Sequence, residues 1–263
     1  MEWLAAYKPR QGEVLQAGAF EQWQAAPPLN KWVDCFWQLD IPSGNYTYRS
    51  LPDNCIDWIF DVNSNPVSFL VSPYDQFQLF EMQGPARFFA IRFRVLGHSC
   101  FFREPIGAWD NNVSADIVSD LTPSDVYAPI MDLMSDTMTF KERCAGVSEI
   151  LLSHCVMNQP DNRLANFIRY NYEHSGDVSQ TICQEIGISP RQLRRLSQLY
   201  LGTNPKSFSA VIRFQHELRN LHLGQTPNAT GLYCDQPHFI KSFKRHTGLT
   251  PSQYLNMSVL YNS

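Results

Sequence analysis

Three arginines at helical spacing, Arg191, Arg194 and Arg195, stand in the stretch Ile186-Gly187-Ile188-Ser189-Pro190-Arg191-Gln192-Leu193-Arg194-Arg195-Leu196-Ser197-Gln198-Leu199. A guanidinium is always charged and presents a rigid fork of donors, so a row of them suits a polyanion. Ser189 is a good N-cap and Pro190 a natural first helical residue, which predicts a helix beginning here. Leu193, Leu196 and Leu199 fall on or near its buried side, and the arginines point away. The preceding Ile-Gly-Ile supplies a tight turn after another short amphipathic run, Ser179 to Ile186. Helix, glycine turn and helix with a cationic outer face make the helix-turn-helix pattern.

Two other constellations carry reactive groups. His98-Ser99-Cys100 and His154-Cys155 bring thiol and imidazole together, but a nucleophilic pair needs a third orienting group and an electropositive pocket, and neither is visible. Asp53, Asp57 and Asp61 are four residues apart, and if Ile56 to Phe60 is a strand, alternation sends them to one face. Without an accompanying His or Glu this is a thin case for a cation. The sequence holds no Gly-x-Gly-x-x-Gly, no phosphate loop and no His-Glu-x-x-His. The chain therefore reads as a non-enzyme with no cofactor and no metal.

The 263 residues, 44% of them hydrophobic, suffice for two ordinary domains. The net charge is only −4, but it is unevenly spread. Residues 1–160 hold 10 Lys and Arg against 19 Asp and Glu, whereas residues 161–263 hold 11 against 6, a net −9 and +5. The C-terminal part is thus the candidate footprint for a polyanion. Seven widely spaced cysteines with no Cys-x-x-Cys pair suit a reduced, cytoplasmic chain. No apolar run approaches the ~20 residues that span a bilayer, and no basic signal segment opens the sequence.

The elements that must position these residues follow from the pattern. Residues 1–120 read as a β-rich domain, a sandwich or small barrel, with short runs at Trp32 to Leu39, Tyr46 to Leu51, Ile56 to Val62, Val67 to Val71, Phe77 to Phe80 and Arg87 to Val95. All six tryptophans lie here, either as core or in part lining a ligand pocket. Residues 121–157 form a helical connector: one helix from Thr122-Pro123 or Ser124 to about Thr137, with Val126, Ile130, Leu133 and Met134 on one side, and a second from Phe140 to Met157. These helices suit a homodimer contact, or they pack back on the β domain. Asn158-Gln159-Pro160-Asp161-Asn162 then breaks the pattern as a linker.

Residues 161–263 read as all-helical. A helix from about Arg163 to Glu173 precedes the two opening helices, and Thr203-Asn204-Pro205 starts a long helix to about Leu223, stopped by Gly224. A short helix follows Thr226-Pro227, Asp235 caps Gln236 to His246, and a last turn runs from Pro251 to about Leu255. The whole is an α+β chain in which a second unit of helix, turn and exposed basic helix lies some 45 residues beyond the first.

Ile186 to Leu196, then Gly202-Thr203-Asn204-Pro205 and Arg213, then His238-Phe239 to Phe243-Lys244-Arg245 and Gly248-Leu249-Thr250-Pro251-Ser252-Gln253-Tyr254 resemble the C-terminal DNA-binding domain of the AraC/XylS family of bacterial transcription regulators. The resemblance covers about 100 residues. It implies two helix-turn-helix units joined by one long helix, with both recognition helices entering successive major grooves, which recur every ~34 Å on one face of DNA. By motif position, Arg191, Arg194 and Arg195 of the first recognition helix and Gln236, His238 and Lys241 of the second are offered to bases. Lys206, Arg213, Lys244 and Arg245 are offered to phosphates. Pro27-Pro28-Leu29 to Trp37, Leu51 to Phe60, and Ile91-Arg92-Phe93-Arg94 to Gly97 look like an uncharacterised N-terminal β domain found in some family members.

Three departures stand out: Ser197 where a phenylalanine usually packs, a segment Thr226 to Leu232 about one turn short, and Pro237 in the first turn of the second recognition helix. The resemblance implies double-stranded DNA as partner, with RNA polymerase, a small-molecule effector and a second copy through residues 121–157 as further partners. A repair methyltransferase built on the same domain would need an N-terminal metal-binding cysteine cluster, which Cys35 and Cys55 do not form. The rival reading is a helix-rich protein-interaction module whose N-terminal domain binds a small molecule or is enzymatic. Genomic DNA fragments showing no salt-sensitive, sequence-selective retardation would favour it.

Overall fold

Strand alternation and one long bent ribbon organise the first half of the chain. The computed structural model describes residues 7–12, 19–109, 115–155, 161–179, 181–226, 231–257 and 260–262. Its first five strands are β1 (Ala19–Gln24), β2 (Val33–Ser50), β3 (Ile56–Asp61), β4 (Val67–Val71) and β5 (Gln78–Phe93). They pair antiparallel in the order β1-β2-β5-β3-β4. Four of the expected strands are thus two: β2 runs through the Pro42-Ser43-Gly44 cluster, and β5 through Gly84-Pro85. The ladder shifts register between Ile41 and Gly44, which bends the ribbon. Only glycine fits at position 84, because a Cβ there would lie 1.7 Å from the Pro42 carbonyl oxygen.

On β3 the alternation is clean: Ile56, Trp58 and Phe60 are buried while Asp57, Ile59 and Asp61 face the other way. The first set packs, with Phe36, Phe89 and Phe93, against helices α1 (Ala115–Leu121), α2 (Ser124–Asp132) and α3 (Phe140–His154). Val126, Ile130, Met134, Cys144, Val147 and Leu151 are buried in that core. The apolar stripe read as a candidate dimer contact is therefore used within the chain. The expected helix to Thr137 stops at Asp132, and Arg143, fully buried, donates to the carbonyls of Leu133, Ser135 and Met138 and to Gln38 Oε1. The expected end at Met157, the linker residues Asn158 to Pro160 and the short helix after Pro227 lie outside the described residues.

The second half is helical: α4 (Asn162–Glu173), α5 (Ile182–Glu185), α6 (Pro190–Leu201), α7 (Pro205–His222), α8 (Gln236–Thr247) and α9 (Pro251–Leu255). Asp161, expected in the linker, caps α4 by accepting from the Arg163 N–H. A final strand, β6 (Leu260–Asn262), was not expected; it pairs with the outer half of β2. Two helical cores result, and α7 runs through both. Phe208 and Ile212 join Leu164, Phe167, Ile182, Leu193 and Leu196, whereas Phe214, Leu218 and Leu221 join Tyr233, Phe239, Phe243 and Tyr254. Val95 and Leu96 from the end of β5 complete the first core, and Leu51 and Phe77 the second.

Candidate nucleic-acid interface

Helix α6 is started by a capping box. The Ser189 hydroxyl accepts from the Gln192 N–H at 3.2 Å, the Gln192 side chain accepts from the Ser189 N–H at 3.3 Å, and Pro190 occupies the first turn. Leu193, Leu196, Ser197 and Leu201 are its buried residues. Leu199 is only half-buried and is absent from the core that takes up that stripe; its backbone lies against the short turn Ile106–Ala108 of the β half. That turn comes so close that a Cβ on Gly107 would lie 2.3 Å from the Gln198 carbonyl oxygen and 2.7 Å from Leu199 Cα. Ser197 is fully buried with its hydroxyl unpartnered among the described residues.

Arg191, Arg194 and Arg195 are all exposed, and none is in an ion pair or hydrogen bond with another described residue. Like charges three and four residues apart cost ~0.2–0.5 kcal/mol per pair on a helix surface. No acid within α6 offsets that cost. Such a face gains from a polyanion beside it.

Helix α8 is started by Asp235, whose side chain accepts from the His238 N–H at 2.7 Å, with Pro237 in the first turn where its missing N–H has no helical partner. Phe239 and Phe243 are buried, and Gln236, His238, Lys241 and Lys244 are exposed. The His238 ring stands edge-on to Tyr233 at 5.4 Å. Lys206, in the first turn of α7, is exposed as well.

Two of the expected phosphate contacts already have partners within the chain. Arg213 Nη2 donates to the Gly176 carbonyl at 3.0 Å and the guanidinium lies 5.9 Å from the centre of the Tyr233 ring, tying the two helical units together. Arg245 Nη2 donates to Asp75 Oδ2 at 2.8 Å, and Ser207 Oγ donates to the same oxygen at 2.9 Å. Asp75 belongs to the loop between β4 and β5, so the acidic half of the chain reaches into the basic half. Arg49 Nη1 extends the contact by donating to the Thr247 carbonyl at 2.8 Å.

The remaining constellations are not arranged for nucleophilic chemistry. Cys100, near His98, is buried, and burial raises the thiol of Cys155 next to His154, which disfavours thiolate. His98 is buried edge-on to Trp109, and burial holds its imidazole neutral, down to about 3. Asp53 and Asp57 do share a face, but what stands between them is a guanidinium. Arg92 Nε and Nη2 donate to Asp57 at 2.9 and 2.8 Å, and Nη1 lies 3.1 Å from Asp53 Oδ2. No cluster of three metal-ligating side chains occurs among the described residues.

Asp57 and Arg92, but not Asp53, line a cavity of about 430 Å3 between the base and the outer half of the β2–β5 ribbon. Trp37, Ile59 and Phe88 line it from the base, Tyr48, Phe80 and Met82 from the outer half. Residues 9–12 form another wall, and this strap is also bound to the helical half. The Arg10 N–H donates to Gln215 Oε1 at 2.7 Å, and Gln215 Nε2 donates back to the Arg10 carbonyl at 3.1 Å. Arg219 Nη2 donates to the Lys8 carbonyl at 2.8 Å, and Tyr7 stacks on Tyr172 of α4 at 4.8 Å. Nothing in the sequence pattern marked residues 7–12, since their partners lie 40 to 211 positions away.

Two family profiles match the chain. Residues 21–115 match a domain of unknown function, DUF6597, and residues 182–257 match a helix-turn-helix domain. Nothing among curated proteins is similar enough in sequence to match. Among solved structures, ToxT from Vibrio cholerae at 1.65 Å resolution is 10% identical over 91% of this chain and 98% of its own, with a TM-score of 0.42. A fatty-acid-bound ToxT is 12% identical over 95% and 98%, at 0.41, and a ToxT bound to a naphthalenyl butenoic acid is 10% identical over 91% and 98%, at 0.40. Likeness this distant carries no ligand over to the present chain. Among the described residues no helix is long and apolar enough to cross a membrane.

Proposed function

From a DNA-binding transcription regulator that carries an AraC-type helix-turn-helix domain behind a DUF6597 domain, we propose a division of labour along the chain. Residues 161–263 bind the operator, residues 1–120 sense a small effector, and residues 121–157 brace the sheet. The observation that carries the first assignment is the unpaired cationic face of α6, hung with α8 on one shared helix. Eighteen residues make α7 about 27 Å long, which suits two units spaced for successive turns of a duplex. Arg191, Arg194, Arg195, Gln236, His238 and Lys241 approach bases, and Lys206 and Lys244 approach phosphates. Arg213 and Arg245 reach a phosphate only by leaving Gly176 and Asp75.

Sensing is supported by the cavity and by the strap that walls it while gripping Gln215 and Arg219 of α7. A ligand that shifts the strap changes the contact between sheet and helices, and no catalytic step enters this reading. RNA polymerase and a second copy are the protein partners it entails in a cytoplasmic setting. For self-association residues 121–157 offer their outward side, where Leu152 is exposed. The test is retardation of genomic DNA fragments by the full chain over a salt series. Selective complexes that weaken steeply with salt are expected, and binding without sequence preference or salt dependence would remove the assignment.

A further inference from the structure

We propose that the cavity in the β2–β5 ribbon takes an organic cation, an amine carried on an aromatic or bulky apolar body; this rests on the effector reading above and names its ligand. The volume of about 430 Å3 fits one small molecule. Its walls are ring faces and apolar chains, among them Phe20, Trp37, Phe69, Phe80 and Phe88, and ring faces carry negative electrostatic potential that attracts a cation.

The charged groups point the same way. At the floor Asp57 meets Arg92, a guanidinium it shares with Asp53 outside the lining, all three nearly out of contact with water. Asp34, also in the wall, is matched by Arg94 at 2.9 Å, whereas Glu81 on the outer half is held only by the Thr47 hydroxyl. Against these stands Arg10, exposed at the rim. Over the groups that line the cavity, Asp34, Asp57 and Glu81 stand against Arg10 and Arg92, one more negative than positive charge.

An incoming anion would find Arg92 taken, with Nε and both terminal nitrogens already turned to carboxylates. An incoming ammonium meets Asp57 in the cavity wall, where Oδ1 accepts from Arg92 and from the Trp37 indole at 3.0 Å while Oδ2 accepts from Arg92 alone and keeps room for another donor.

The experiment titrates the full chain with three isosteres, 1-naphthylmethylamine, 1-naphthylmethanol and 1-naphthoate, following tryptophan fluorescence and calorimetry, with DNA binding measured in the same preparation. The amine is expected to bind at least about tenfold more tightly than the alcohol, and the carboxylate least. Asp57→Asn should bring amine and alcohol to within about threefold of each other; should that variant not fold, the ranking on the unaltered chain still decides. A carboxylate that binds as tightly as the amine, or no binding by any probe at millimolar concentration, overturns the inference. Intact DNA binding alongside that result leaves the regulator assignment standing, while lost DNA binding alongside a clear amine preference does the reverse.

Discussion

Exchange of Asp75 for Asn should tighten DNA binding by the full chain. The Asp75 carboxylate accepts from Arg245 at 2.8 Å and from Ser207 at 2.9 Å, so one side chain of the sheet domain holds the last turn of α8 and the first turn of α7. Arg245 is 55% exposed and Asp75 34%, so water screens the pair and its coupling is ~0.2–1 kcal/mol. The amide keeps an acceptor for Ser207 but drops the charge, freeing Arg245 for a phosphate. The gain in affinity is then roughly 1.4- to 5-fold at low salt, with a slope of log K against log salt steeper by about 0.9 for one added phosphate contact. Fluorescence anisotropy of a labelled duplex across a salt series reads both quantities. An unchanged slope in Asp75→Asn would refute the reasoning, and Arg245→Ala would then show whether that arginine touches the backbone at all.

Arg195→Ala should weaken the preferred site by about 1–3 kcal/mol and relax preference at one or two base pairs, whereas equal loss on random DNA would make it a phosphate contact. Leu193→Asp places a carboxylate without a partner in the core with Leu196 and Phe208 and should unfold the first helical unit by circular dichroism; a folded, active variant would mean the helix face is wrongly assigned. Acid should destabilise the chain through His98, whose imidazole is held down to about 3 from 6.5. Between those values the unfolded chain takes up a proton that the folded chain refuses, so stability is full above about pH 6.5 and falls as pH drops, by up to ~1.4 kcal/mol per pH unit. His246, held down to about 4, adds to the same trend, and thermal melts of His98→Leu should show a shallower dependence than the parent.

The local signals were strong wherever a helix start depends on its own residues. Ser189-Pro190, Asn204-Pro205 and Asp235 each cap the helix expected from them, because a cap is a bond between neighbours in the chain. The ribbon was legible only in pieces, since Pro42-Ser43-Gly44 has the composition of a loop and acts as a bulge within one strand. Asp53 and Asp57 were seen to share a face, yet their guanidinium partner, Arg92, stands opposite Asp57 on the neighbouring strand β5 and could not be paired with them from spacing. Arg245 read as a phosphate contact from its place in α8, and Asp75, which holds it, lies 170 positions earlier. Likewise the stripe of α2 and α3 announced a partner without saying that the partner was the sheet of the same molecule.

Helix α7 lends one side to each helical core, and each core is finished by side chains from outside residues 161–263: Val95 and Leu96 in one, Leu51 and Phe77 in the other. A fragment cut at the boundary would lose four plugs at once and bare the greasy sockets they fill. Its grip on an operator would report a loosened molecule, so the proposed coupling between the halves is better dissected by point substitution than by scissors.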